Sequence, residues 1–133
     1  MKIVITSKND NLESEIDPRF GRCNYFLIID TEKMNFESIS NQSAMASGGA
    51  GIQAAQTVAK TGTEILITGN IGPNAFQTLN AAGIKIFTGV SGTVKEAIEK
   101  HKKGELKETS NPSVNSHYGM GMGGRGLGRG SNL

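Results

Sequence analysis

Glu64-Ile65-Leu66-Ile67-Thr68-Gly69-Asn70-Ile71-Gly72-Pro73 joins an apolar run to a glycine-rich turn and a proline. The apolar run Ile65-Leu66-Ile67 is short and bounded by turn residues, so it reads as a buried strand. Gly69 to Gly72 forms a tight turn, and Pro73 suits the first turn of a helix. Phe76, Leu79 and Ala82 then recur at helical spacing, and Gly83 stops the helix. Ile84-Lys85-Ile86-Phe87-Thr88 returns as a strand. A strand, a helix and a second strand at this spacing imply a right-handed crossover between parallel neighbours.

The pattern extends in both directions. Thr93-Val94-Lys95-Glu96 has capping-box spacing and opens a helix whose Val94, Ala97, Ile98 and His101 share one face. Gly104 closes that helix, and Glu105 to Glu108 add a few extended residues. Upstream, a helix from Ala50 to about Lys60 carries the stripe Ile52, Ala55, Val58 and Ala59 and ends before Gly62. Before it come three strands: Lys2–Ser7, Asn24–Thr31 and Met34–Asn41. The second has a continuous apolar run that implies burial on both faces, and the third pairs with it as a hairpin. The order β-β-β-α-β-α-β-α predicts an α/β fold with a mixed five-stranded sheet between helices, in three layers. Ligands of such sheets bind beyond the carboxyl ends of the strands. The loops Ser7–Arg22, Gly69–Pro73 and Gly89–Gly92, and Ser43–Gly49 before its helix, are expected to meet on that edge.

Asp17-Pro18-Arg19-Phe20-Gly21-Arg22-Cys23 lies in the first of these loops and holds the chain's one cysteine. Pro18 and Gly21 shape the backbone so that Arg19, Arg22 and Cys23 can be presented together. Two guanidinium groups beside a thiol bias it toward thiolate, the form that binds metals. The other reading makes Cys23 a small buried hydrophobe at the start of a strand. Gly48-Gly49-Ala50-Gly51 opens a helix, where free amides and the dipole favour anions. It lacks the Gly-Lys-[Ser/Thr] ending of a nucleotide P-loop, and its glycines serve close packing equally well.

All 12 acids, and every basic residue of the 14 except Arg125 and Arg129, lie in residues 1–109. The folded part is therefore formally neutral, which gives no support to a nucleic-acid surface. No apolar run reaches membrane-spanning length. The start has no signal-peptide layout and a lone cysteine cannot form an internal disulfide, so a cytoplasmic location is expected. Residues 1–109 read as one domain. Residues 110–133 read as a flexible Gly/Met/Arg tail with too little apolar area to offset ordering its backbone. His117, Met120 and Met122 in it are soft-metal ligand types. His101 and His117 make no zinc-site spacing with the cysteine. The first strand carries no carboxylate for paired catalytic metals, and no Ser/His/Asp set is apparent, which argues against a hydrolase.

Taken together, Asp17–Cys23, Gly48-Gly49-Ala50-Gly51 with Ala54-Ala55, Leu66–Ala75, and Ala82–Lys85 through Gly92-Thr93-Val94 resemble the dinitrogenase iron–molybdenum cofactor biosynthesis family. The resemblance covers about residues 1–108. It implies a ribonuclease-H-like fold. It also implies non-catalytic binding, storage or delivery of an iron–sulfur or iron–molybdenum type cluster, exchanged with donor and acceptor proteins. Cys23 matches a motif position that is often cysteine in the family and is the implied metal ligand. Arg19, Phe20, Gly21, Arg22 and the amides around Gly48, Gly49, Gly51, Gly69, Asn70 and Gly72 would hold the polyanion by charge and hydrogen bonds. The alternative is a regulatory or scaffold protein that binds a small anion or a protein partner at the same glycine-rich edge. Nucleic acid and membrane are not expected partners.

Overall fold

Lys2–Ser7 (β1) is the centre of the sheet, and its residues from Ile3 onward are all buried. It pairs antiparallel with Tyr25–Asp30 (β2) and parallel with Ile65–Ile67 (β4). Asn35–Ser40 (β3) adds to β2 antiparallel, and Lys85–Phe87 (β5) to β4 in parallel. The order across the sheet is β3-β2-β1-β4-β5. The helices are Ala50–Ala59 (α1), Pro73–Ala81 (α2) and Val94–Lys102 (α3). This is the expected α/β fold of ribonuclease-H-like layout. The computed structural model describes residues 1–33, 35–46 and 48–113. The expectations for Met34, for a flexible tail from residue 114 on, and for His117, Met120 and Met122 lie outside the described residues.

The period of two along each strand divides the core between two layers. Val4, Phe26, Ile28, Leu66 and Ile86 face one side, where Ala54, Ala55 and Val58 of α1 and Leu79 of α2 cover them. Ile3, Ile5, Leu27, Ile29, Ile65, Ile67 and Phe87 face the other, under Val94, Ala97 and Ile98 of α3. Each such side chain contributes about 1.5–3 kcal/mol when fully buried, so the central strands dominate the stability.

Two expectations are corrected. Ile52 is 38 % exposed, because Ala50, Ala54, Ala55 and Val58 form the face that α1 buries. Ala82 is exposed, because α2 ends at Ala81 and Ala82 is its C-cap. In β3 it is Ile39 that reaches the core, while Phe36 remains 40 % exposed. After α3 the chain does not leave the domain at once. Thr109 N–H donates to the Ile86 carbonyl, and Ser113 N–H to that of Ile71. Residues 105–113 thus form a strap from the end of α3, along β5, to the loop before α2.

Candidate functional site

β1, β4 and β5 run the same way, so loops 8–24, 68–72 and 88–93 leave the sheet at one edge. Loop 41–49 follows β3, which also points there. The four expected loops meet, and hydrogen bonds show how. Phe20 N–H donates to the Asn70 carbonyl at 3.3 Å, and Asn70 N–H to that of Pro18 at 2.7 Å. Gly89 N–H donates to the Gly69 carbonyl at 2.7 Å.

Two glycines make these approaches feasible. A Cβ on Gly69 would lie 2.6 Å from Pro18 Cα, and one on Gly21 would lie 3.0 Å from Gly51 Cα and N. Either side chain would force backbone apart. Gly51 in turn leaves room for Ala75, whose Cβ would be 3.5 Å from a Cβ at Gly51. The first turns of α1 and α2 therefore sit side by side, with the 17–23 loop against the first of them.

The N-caps are Gly49, at φ 72°, and Gly72; among the described residues no side chain caps either helix, and neither first turn holds an acid. Each N-terminus presents roughly half a positive charge through its free amides. α3 differs: Thr93 and Glu96 form a complete capping box, so its N-terminus is already satisfied.

The named side chains divide into two groups. Arg19 is 45 % exposed, with its Nε 3.4 Å from Oδ1 of the buried Asp17. Arg22 is a staple: one Nη donates to the carbonyls of Ala44 at 3.0 Å and Ala46 at 2.6 Å. Phe20 is a core residue, 2 % exposed, its ring tilted against Phe26 at 5.9 Å. Gly48 and Gly49 are exposed, Gly51, Asn70 and Gly72 half-buried, and Gly69 buried.

Cys23 is fully buried in the layer under α1 and α2. The expected bias toward thiolate is reversed. Burial foremost, and then the Asp17 carboxylate, push the thiol well above its ordinary range, outweighing Arg19 and a hydrogen bond from Asn41. Among the described residues no group of three or more His, Cys, Asp or Glu could hold a metal ion.

Asn41 ties the site together and was not singled out from sequence. Its Nδ2 donates to the carbonyls of Gly21 at 3.1 Å and Cys23 at 2.9 Å, and lies 3.7 Å from Cys23 Sγ. Its Oδ1 accepts from Ser43 Oγ at 2.6 Å. One buried amide thus links loop 17–23 to the segment that leads into α1. The one signal available was an Asn at a strand end, too common to stand out.

Comparison with known proteins agrees with this geometry. The apo form of the orange protein of Desulfovibrio gigas is 39 % identical, with a TM-score of 0.83, over 85 % of this chain and 96 % of that one. A NifB-like protein of Thermotoga is 40 % identical, with a TM-score of 0.73, over 85 % of this chain and 98 % of its own. An uncharacterised protein of Methanocaldococcus jannaschii is 31 % identical over 111 residues, which is 81 % of this chain and 91 % of that protein. The profile of the family described as dinitrogenase iron-molybdenum cofactor matches residues 1–104. The chain belongs to the dinitrogenase iron–molybdenum cofactor family.

Proposed function

We propose that this protein binds a compact metal–sulfur cluster, iron–sulfur or molybdenum-containing, as cargo and delivers it without transforming it. The observation that carries the reading is the pair of uncapped, acid-free helix N-termini side by side at Gly51 and Ala75, with Arg19 on the adjoining loop. A polyanion is the ligand that two dipole ends and a guanidinium accommodate. Membership of the dinitrogenase iron–molybdenum cofactor family supports a metal–sulfur cluster as that anion. The similar orange protein of Desulfovibrio gigas has an apo form, which fits a fold with a loaded state.

Cys23 lies beneath the site, so cargo would be held by charge and amide hydrogen bonds while the thiol stays in the core. Ligation by Cys23 would require loop 17–23 to lift from Gly51. Weak, reversible holding suits delivery between donor and acceptor proteins. No helix among the described residues is long and apolar enough to cross a membrane. The same amides would suit a small oxyanion, so a regulatory or scaffold protein that binds a small anion or a protein partner at this edge is the second reading.

The test is anaerobic purification, then incubation with iron, sulfide and molybdate, elemental analysis and a visible spectrum. The carrier reading expects near-stoichiometric metal with charge-transfer bands, reduced about tenfold in affinity by Arg19→Ala, within the range for a lost charge-assisted hydrogen bond. Retained metal in Cys23→Ala would place the thiol outside the ligand set. A colourless, metal-free protein that binds phosphate at the same edge would replace the carrier with the scaffold.

A further inference from the structure

The two edges of the sheet are finished differently. The β5 edge is covered by the strap through Thr109 N–H to Ile86 O, and Thr88 N–H to Thr109 Oγ1 at 2.9 Å. Among the described residues, none covers the β3 edge. Asn41 N–H donates to Asn24 O, and that pair continues the β2–β3 register. By the alternation of antiparallel ladders, Asn35, Glu37 and Ile39 turn their backbone groups toward β2. Phe36, Ser38 and Ser40 turn theirs outward, and among the described residues no hydrogen bond reaches them. β3 also lacks the usual guards of an open edge: it has no lysine, proline or bulge, and only one charge, Glu37.

We propose that β3 pairs antiparallel with β3 of a second copy of this chain, making one continuous ten-stranded sheet. The strand is complementary to itself in one register. With Ser38 on the two-fold axis, Phe36 pairs with Ser40 of the other copy, Ser38 with Ser38, and Ser40 with Phe36. All the outward groups of these residues are then satisfied. Glu37 falls opposite Ile39, so no like charges meet. Placing Glu37 on the axis instead would set two carboxylates face to face, a destabilising arrangement. The seam also continues an apolar groove lined by Leu12, Ile29, Phe36 and Ile98, so the ring of Phe36 lies between the new strand and the groove. The two carboxyl edges point in opposite directions in such a pair, and each cargo site stays complete within its own copy.

A pair of six-residue strands buries less than a standard interface, so the dimer is micromolar or weaker. Sedimentation equilibrium of the full chain from about 10 µM to about 1 mM covers that range. The mass is expected to rise toward twice the monomer value. Amide exchange at Phe36, Ser38 and Ser40 is expected to slow with concentration, while that at Glu37 and Ile39 is slow throughout. Ser38→Pro removes an outward N–H that β2 does not use, and Ser38→Lys sets like charges on the axis of an exposed position. Each is expected to weaken the dimer at least about tenfold. Ser38→Lys covers the case in which the proline disturbs the strand. A monomer at every concentration with fast edge amides, or a dimer unaffected by Ser38→Lys, overturns the proposal.

Discussion

Cys23 shows how burial outranks neighbouring charge at the scale of one residue. An arginine near a thiol lowers its pKa in a solvated loop, but here the sulfur is fully enclosed and faces Asp17. The thiol therefore stays protonated in the folded chain through the range in which an unfolded thiol ionises, near pH 8.5. The sign follows from proton counting: above that pH the unfolded chain releases a proton that the native chain keeps. The contribution of Cys23 to stability is complete below the ordinary thiol range and is lost progressively as pH rises above it toward the raised native value. A thiol reagent at pH 7–9 is expected to react with the native protein far more slowly than with the urea-unfolded chain. Rapid reaction of the native protein at neutral pH would show instead an open, reactive thiolate at the site. Asn41 belongs to the same scale, since its one side chain donates to the Gly21 and Cys23 carbonyls of one loop and accepts from Ser43 Oγ in the next.

Among the elements, α3 and α1 differ in how their first turns are completed. Thr93 Oγ1 accepts from Glu96 N–H at 3.1 Å, and Glu96 accepts from Thr93 N–H at 2.8 Å. Hydrogen bonding to the carboxylate from the Thr93 N–H, foremost, and from the Thr93 hydroxyl holds the Glu96 carboxyl below its ordinary range. Its contribution is therefore present above the usual carboxylate pKa and lost as pH falls through the lowered value. Thr93→Ala is expected to cost about 1 kcal/mol in urea unfolding near neutral pH, and less at acid pH where Glu96 is protonated. An unchanged denaturation midpoint would show that the loop bonds from Val94 and Lys95 N–H to Ser14 and Leu12 hold α3 by themselves. α1 and α2 lack any such cap, so their amides remain available at the edge where the loops meet.

For the whole molecule, the strap from 105 to 113 joins the far end of α3 to the candidate site. Ser113 Oγ accepts from Ile71 N–H at 2.8 Å, and Ile71 follows Asn70, which holds the 17–23 loop. A chain ending after Glu108 is expected to lose several degrees in Tm relative to one ending after Ser113, since each lost hydrogen bond is worth about 1 kcal/mol. Its Ile71 amide is also expected to exchange faster. Equal Tm values would make the strap an ornament of the β5 edge rather than a support of the site.

The repeats of apolar residues in the sequence determined the element order, the mixed sheet and the edge on which its loops gather. Periods of two and 3.6 state which face of each strand or helix is buried, and Gly62, Gly83 and Gly104 mark where each helix stops. The glycines at 21, 51 and 69 were legible as turn or packing residues but not as partners, because their contacts cross up to about fifty residues of chain. That Phe20 and Cys23 lie in the core, that Arg22 is spent on carbonyls, and that Arg19 stays exposed follows from the folded packing alone. The physical reason is that burial and hydrogen bonding are sums over neighbours distant in sequence. A local motif names the residues able to do chemistry, and the packing around them settles which remain free to do it.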